Sequence, residues 1–110
     1  MKIFIGYDAR EEIAYQVCKY SIESRNPDAE VVKLKQKELK AAGLYWREKD
    51  PLSSTEFTFS RFLVPVMTEY QGWAIFCDCD FLWQIDPAEI MKYADDKYAV
   101  MVVKHDYTPP

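Results

Sequence analysis

The chain has 110 residues, 49% hydrophobic and 29% charged, with 14 basic against 18 acidic side chains and a net charge of −4. That is enough apolar content for one folded domain, residues 1–110, and too much for a disordered chain. The acidic balance without a basic stripe argues against a nucleic-acid groove, and no apolar stretch approaches the roughly 18 residues of a membrane span. The N-terminal apolar run is too short for a signal peptide, and three cysteines, an odd number, suggest no disulfide framework, so the protein reads as cytoplasmic.

The first element is "KIFIG", 2–6, a β-rich run that ends at a glycine. Asp8 follows, with Glu11 three residues on. That pattern predicts a capped helix running to about Ser24, with Ile13, Val17 and Ser21 on one face and Asn26-Pro27 stopping it. "EVVKL", 30–34, reads as a second strand. "KQKELKAAG", 35–43, reads as a short polar helix closed by Gly43. Residues 44–53 show no clean period and read as a loop. Ser53 and Glu56 repeat the capping pattern ahead of a helix with Phe59, Phe62, Leu63, Val66 and Tyr70 as its core stripe, interrupted at Pro65.

"GWAIFCD", 72–78, is a near-continuous apolar run, as expected of a strand buried on both faces. "IDPAEI" starts another helix, with Asp86 as cap, Pro87 at the first position and Glu89 behind. "YAVMVV", 98–103, reads as the last strand. Alternating strands and helices predict an α/β fold with a Rossmann-like, mostly parallel sheet and flanking helices.

Two pairs alternate in "AIFCDCDFLW", 74–83. Side chains two apart in a strand share a face, so Cys77 and Cys79 point one way and Asp78 and Asp80 the other. Two cysteines cannot close a four-ligand zinc site, and the third, Cys18, lies on a predicted helix, so all read as core packing. The aspartates stand where a buried strand ends, which is where open parallel sheets bind ligands. Two hard oxygen donors suit Mn²⁺ or Mg²⁺; the bland alternative is a solvated turn. Asp8 stands at the equivalent end of the first strand and can serve as cap, as ligand contact, or both. Arg61 falls opposite the predicted stripe and is either a solvated arginine or a fork for phosphate. His105, the sole histidine, follows the last strand and reads as surface more readily than as ligand or base. Trp46, Trp73 and Trp83 read as core or rim aromatics.

Together, "MKIFIGYDARE", "STEFTFSRFLVP" and "WAIFCDCDFLW" resemble the nucleotide-sugar-binding half of GT-A fold glycosyltransferases, closest to the family-eight-like, glycogenin-related enzymes. The resemblance implies that Asp78-Cys79-Asp80 is the Asp-x-Asp motif whose aspartates hold Mn²⁺ or Mg²⁺ on a nucleotide-diphosphate sugar. It implies that Arg61, followed by Phe62 and Pro65, assists sugar and phosphate binding, and that Tyr7 and Asp8 lie against the nucleobase. It also implies an acceptor-binding half, with a third metal ligand that is often histidine, beyond the present 110 residues. The chain thus reads as a truncated donor-binding part with no catalytic residue assigned and an uncovered sheet edge available for self-association.

Two other readings stay open. A haloacid-dehalogenase-type phosphatase also ends an apolar strand in Asp-x-Asp, with Asp78 then the nucleophile. Leu82, where such enzymes carry Thr or Val, and the short stretch after Asp80 disagree with it. The other is a non-catalytic nucleotide- or metal-binding module.

Overall fold

A computed structural model describes residues 1–48, 50–104, 106 and 108; His105 lies outside them. Three strands form a parallel sheet in the order β2-β1-β3, with β1 (Lys2–Gly6), β2 (Glu30–Leu34) and β3 (Ile75–Cys77). The helices are α1 (Glu12–Glu23), α2 (Gln36–Ala41), α3 (Val64–Met67) and α4 (Ala88–Met91). The α/β class and the parallel sheet with flanking helices agree with the sequence reading. No helix among the described residues is long and apolar enough to cross a membrane.

β1 is central because Ile3, Phe4 and Ile5 bury both of its faces. Alternation splits them. Ile3 and Ile5 join Tyr15, Cys18 and Ile22 of α1 together with Cys77, Cys79 and Trp83. Phe4 packs with Leu34, Leu39 and Tyr45 on the other side. β1 pairs with β2 along Lys2–Gly6 and with β3 only along Ile3–Ile5.

Several expectations need correction. Regular pairing in 72–78 is confined to Ile75–Cys77, since Gly72 is left-handed at φ +67° and Cys79-Asp80 already turn. Residues 98–103 form no strand; Val100, Val102 and Val103 are exposed. A strand exists only through ladder bonds, and β-propensity without a neighbouring backbone supplies none. The Ser53–Glu56 box does not start a helix. Thr55 and Thr58 instead exchange side-chain and backbone bonds in a turn. A 3-10 turn, Ser60–Leu63, then leads into α3, with Pro65 in its first turn rather than at a kink. Phe59 and Leu63 pack inward, whereas Phe62, Val66 and Tyr70 are exposed.

The phase of α1 also differs. Tyr15, Cys18, Ser21 and Ile22 are buried, and Ile13 and Val17 face outward. Both stripes of this helix are apolar enough to pack, and the sheet selects the one with the tyrosine and cysteine. Asp8 caps not α1 itself but a 3-10 turn, Ala9–Glu11, through the Arg10 amide; the N-cap of α1 is Glu11, with no side-chain cap bond, and Glu11 does not reach back to Asp8. Gly43 closes α2 at φ +75°, and Asp86 caps α4 by accepting from the Ala88 amide at 2.9 Å. Trp83 is core, whereas Trp46 is 85% exposed.

Candidate functional site

β1 and β3 are parallel, so their carboxyl ends lie on one side of the sheet and bring Tyr7-Asp8 and Asp78-Cys79-Asp80 to the same edge. The two-residue alternation survives the end of the ladder. Cys77 and Cys79 are buried, Asp78 is half-buried and Asp80 is exposed.

Asp78 is pushed above the ordinary carboxylate range, first by burial and then by the neighbouring charges of Asp80 and Glu11, while Arg61 opposes the rise. Among the described residues the ion pairs are Arg10–Asp8, Lys19–Glu23, Lys92–Glu89 and Lys97–Asp95, and neither Asp78 nor Asp80 belongs to one. Arg61 sits over β3, its guanidinium 5.4 Å from the Phe76 ring and 5.6 Å from the Phe57 ring. Its Nε donates to the Phe57 carbonyl at 3.2 Å. That in-plane bond occupies the Nε edge of the guanidinium and fixes the stem of the side chain.

Asp8 is differently placed. It is 1% exposed, and its carboxylate accepts from the Arg10 amide and Nε at 3.0 Å each and from Arg10 Nη2 at 2.6 Å. The Glu56 amide adds a fourth contact at 3.3 Å. These bonds, led by that from the Arg10 side chain, hold the Asp8 carboxyl down at about 2. Asp8 therefore ties the end of β1 to the 54–56 loop, where Arg10 also donates to the Ser54 carbonyl at 2.9 Å. A shallow depression bounded by Asp8, Arg10, Glu11, Ser54 and Thr55 opens beside it.

Tyr7 packs edge-on against Tyr15 with ring centres 5.4 Å apart. The Lys33 ammonium lies 4.8 Å from both rings, and that of Lys35 lies 5.4 Å from the Tyr7 ring. The Glu12 carboxylate beside its hydroxyl pushes the Tyr7 phenol up to about 12.

The turn bearing the aspartates is held from behind by α1 and its flanks. The Cys79 thiol donates to Glu11 Oε2 at 3.1 Å, and the Trp83 amide donates to Ser21 Oγ at 3.0 Å. Asn26 Nδ2 donates to Asp86 Oδ1 at 3.0 Å. Sequence reading missed Glu11 and Arg10 as site-shaping residues. The Asp8-x-x-Glu11 spacing reads as a capping box and hides Glu11, and the position of Arg10 two residues after Asp8 is the available signal. Among the described residues no group of three His, Cys, Asp or Glu is arranged to hold a metal.

Over 109 residues the chain is 55% identical to Protein CDI of Arabidopsis thaliana, a match that takes in 98% of this chain and 42% of that protein. The chain thus spans about two fifths of the length of this curated relative. No protein-family model and no solved structure matches the chain.

Proposed function

We propose that this chain is the donor-binding part of a GT-A type glycosyltransferase, with Asp78 and Asp80 holding Mn²⁺ or Mg²⁺ against the diphosphate of a nucleotide sugar. The observation that carries the reading is the half-buried Asp78, unpaired among the described residues, at the carboxyl end of a parallel strand with Arg61 close by. A carboxylate that burial and like charges penalise gains from a cation, and the donor set fits. Mn²⁺ and Mg²⁺ take oxygen ligands, and Mg²⁺ usually keeps several waters beside one or two carboxylates. When bound, the metal would supply Lewis-acid stabilisation of charge on the leaving nucleoside diphosphate.

The chain's own residues would divide the remaining work. Asp78, anchored one residue beyond β3, gives a fixed donor, and Asp80, out in the turn, an adaptable one. Arg61 adds positive charge for phosphate oxygens. Asp8 and Arg10 would hold the 54–56 loop beside the donor, and Tyr7, buried at 6% exposure with the Lys33 and Lys35 ammoniums over its ring, would support the nucleoside end from below rather than stack on it. With a net charge of −4, the chain needs a metal or a local arginine to bind an anionic ligand, and the cation and Arg61 would act together.

Titration calorimetry of the chain with a nucleoside diphosphate, with and without Mn²⁺, tests this. Binding that requires Mn²⁺ and weakens at least about tenfold in Asp80→Ala supports it, since about 1.4 kcal/mol corresponds to that factor. The reading would be falsified if neither Mn²⁺ nor any nucleoside diphosphate bound at millimolar concentration.

A further inference from the structure

Cys18 and Cys77 face each other across the core with their sulfurs 3.9 Å apart, although 59 positions separate them in the chain. Cys18 comes from the inner stripe of α1, and Cys77 is the last paired residue of β3. Cys18 is fully buried and Cys77 is 3% exposed. The third thiol is engaged elsewhere, because Cys79 is directed at the Glu11 carboxylate. Two sulfurs therefore have each other as partner and the third does not.

We infer that Cys18 and Cys77 are an intramolecular disulfide-forming pair that a small hydroperoxide oxidises, linking α1 to the end of β3. A disulfide needs its sulfurs about 2.05 Å apart, so rotation of the two side chains has to bring them closer by roughly 2 Å. The reaction balances with one peroxide. Cys77, the one with residual exposure, attacks a peroxide oxygen through its sulfur. An S–O bond forms, the O–O bond breaks, and the departing hydroxide takes the thiol proton as water. The Cys18 sulfur then attacks the resulting sulfenic acid. The S–S bond forms, the S–O bond breaks, and the hydroxide released takes the Cys18 proton as a second water. Two thiols and one hydrogen peroxide become one disulfide and two waters.

The bond would close a long loop and pin the strand end that carries Asp78 against α1, whether or not the donor-site reading holds. Loop closure of that length constrains the unfolded chain, so the oxidised protein should melt several degrees higher than the reduced one.

The test treats the reduced full chain with hydrogen peroxide and reads intact mass, peptide map and thermal unfolding. A mass loss of about 2 Da in the monomer, a peptide linking residues 18 and 77, and recovery by dithiothreitol are expected. Cys79→Ser should keep that product, and Cys18→Ser and Cys77→Ser should each lose it. A mass gain of about 16 or 32 Da without a linked peptide, a link that includes Cys79, a link between two chains, or no reaction would overturn the pairing. If a serine variant does not fold, the peptide map of the unsubstituted protein decides the matter alone.

Discussion

The Cys79 thiol donates to Glu11 Oε2 at 3.1 Å, so the residue between the two candidate ligand aspartates is fastened to the start of α1. The bond converts a short sequence motif into a held turn. Burial, followed by the Glu11 carboxylate, pushes the Cys79 thiol up to about 12. At pH 8 the folded protein should therefore keep Cys79 as a thiol and react slowly there with iodoacetamide. Glu11→Ala removes both the acceptor and the negative charge, and the rate at Cys79 should rise severalfold. Peptide-resolved alkylation measures it; an unchanged rate would mean that the bond does not hold the turn.

Asp8 makes acid stability a test of the β1 terminus. Its carboxyl lies at about 2 in the folded protein against an ordinary 3.8. A depressed folded value means that the stabilisation is present above the ordinary value and is lost as pH falls from about 4 to about 2. The Arg10 partner is 68% exposed, so water screens the pair, and about 1 kcal/mol is the expected size. Asp8→Asn should lower stability at pH 7 by about 1–2 kcal/mol and flatten the acid limb over that window. Urea midpoints measured between pH 7 and pH 2.5 report both. Parallel acid limbs in the two proteins would remove Asp8 as the responsible group.

What was legible in the sequence was local. β1 and β2, the cap at Asp8, the glycine close of α2 and the Asp86-Pro87 start all follow from residues within a few positions of one another. The division of Cys77/Cys79 from Asp78/Asp80 followed from strand alternation and outlasted the strand itself. What was not legible depended on distant partners. Two apolar stripes ran along α1, and only the sheet decides that Tyr15, Cys18 and Ile22 go inside while Ile13 and Val17 do not. Residues 98–103 have strand composition but no paired backbone. One miss was local: the stretch 53–63 offered a helix cap, yet the threonines at 55 and 58, three residues apart, satisfied each other first. The Asp8–Glu56 tie joins residues 48 positions apart, an approach that no spacing rule encodes.

Ser21 is buried at 2%, donates to the Cys18 carbonyl at 2.7 Å and accepts from the Trp83 amide. Ser21→Ala leaves the Trp83 N–H buried without a partner, which should cost about 1–3 kcal/mol. The loss should be local in exchange measurements, with the Trp83 amide exchanging faster in the variant than in the parent. Thr at the same position retains the hydroxyl and should recover part of the protection. Equal exchange at Trp83 in all three proteins would show that the serine does not hold the segment after the aspartates.

Gly6, the last residue of β1, is required by a close approach. A Cβ there would lie 2.5 Å from Phe57 Cγ and 2.6 Å from its Cδ2. Phe57 is 2% exposed and follows Glu56, whose amide bonds Asp8, so the ring cannot yield without shifting that tie. Gly6→Ala should destabilise by about 1–3 kcal/mol, the usual cost of overpacking a filled site. Phe57→Leu in the same chain makes room for the added methyl, so the double variant should lose less than the two single losses added together. Guanidinium unfolding of the four proteins gives the coupling. Strict additivity would mean that the two side chains do not meet and that another contact fixes glycine at the end of the strand.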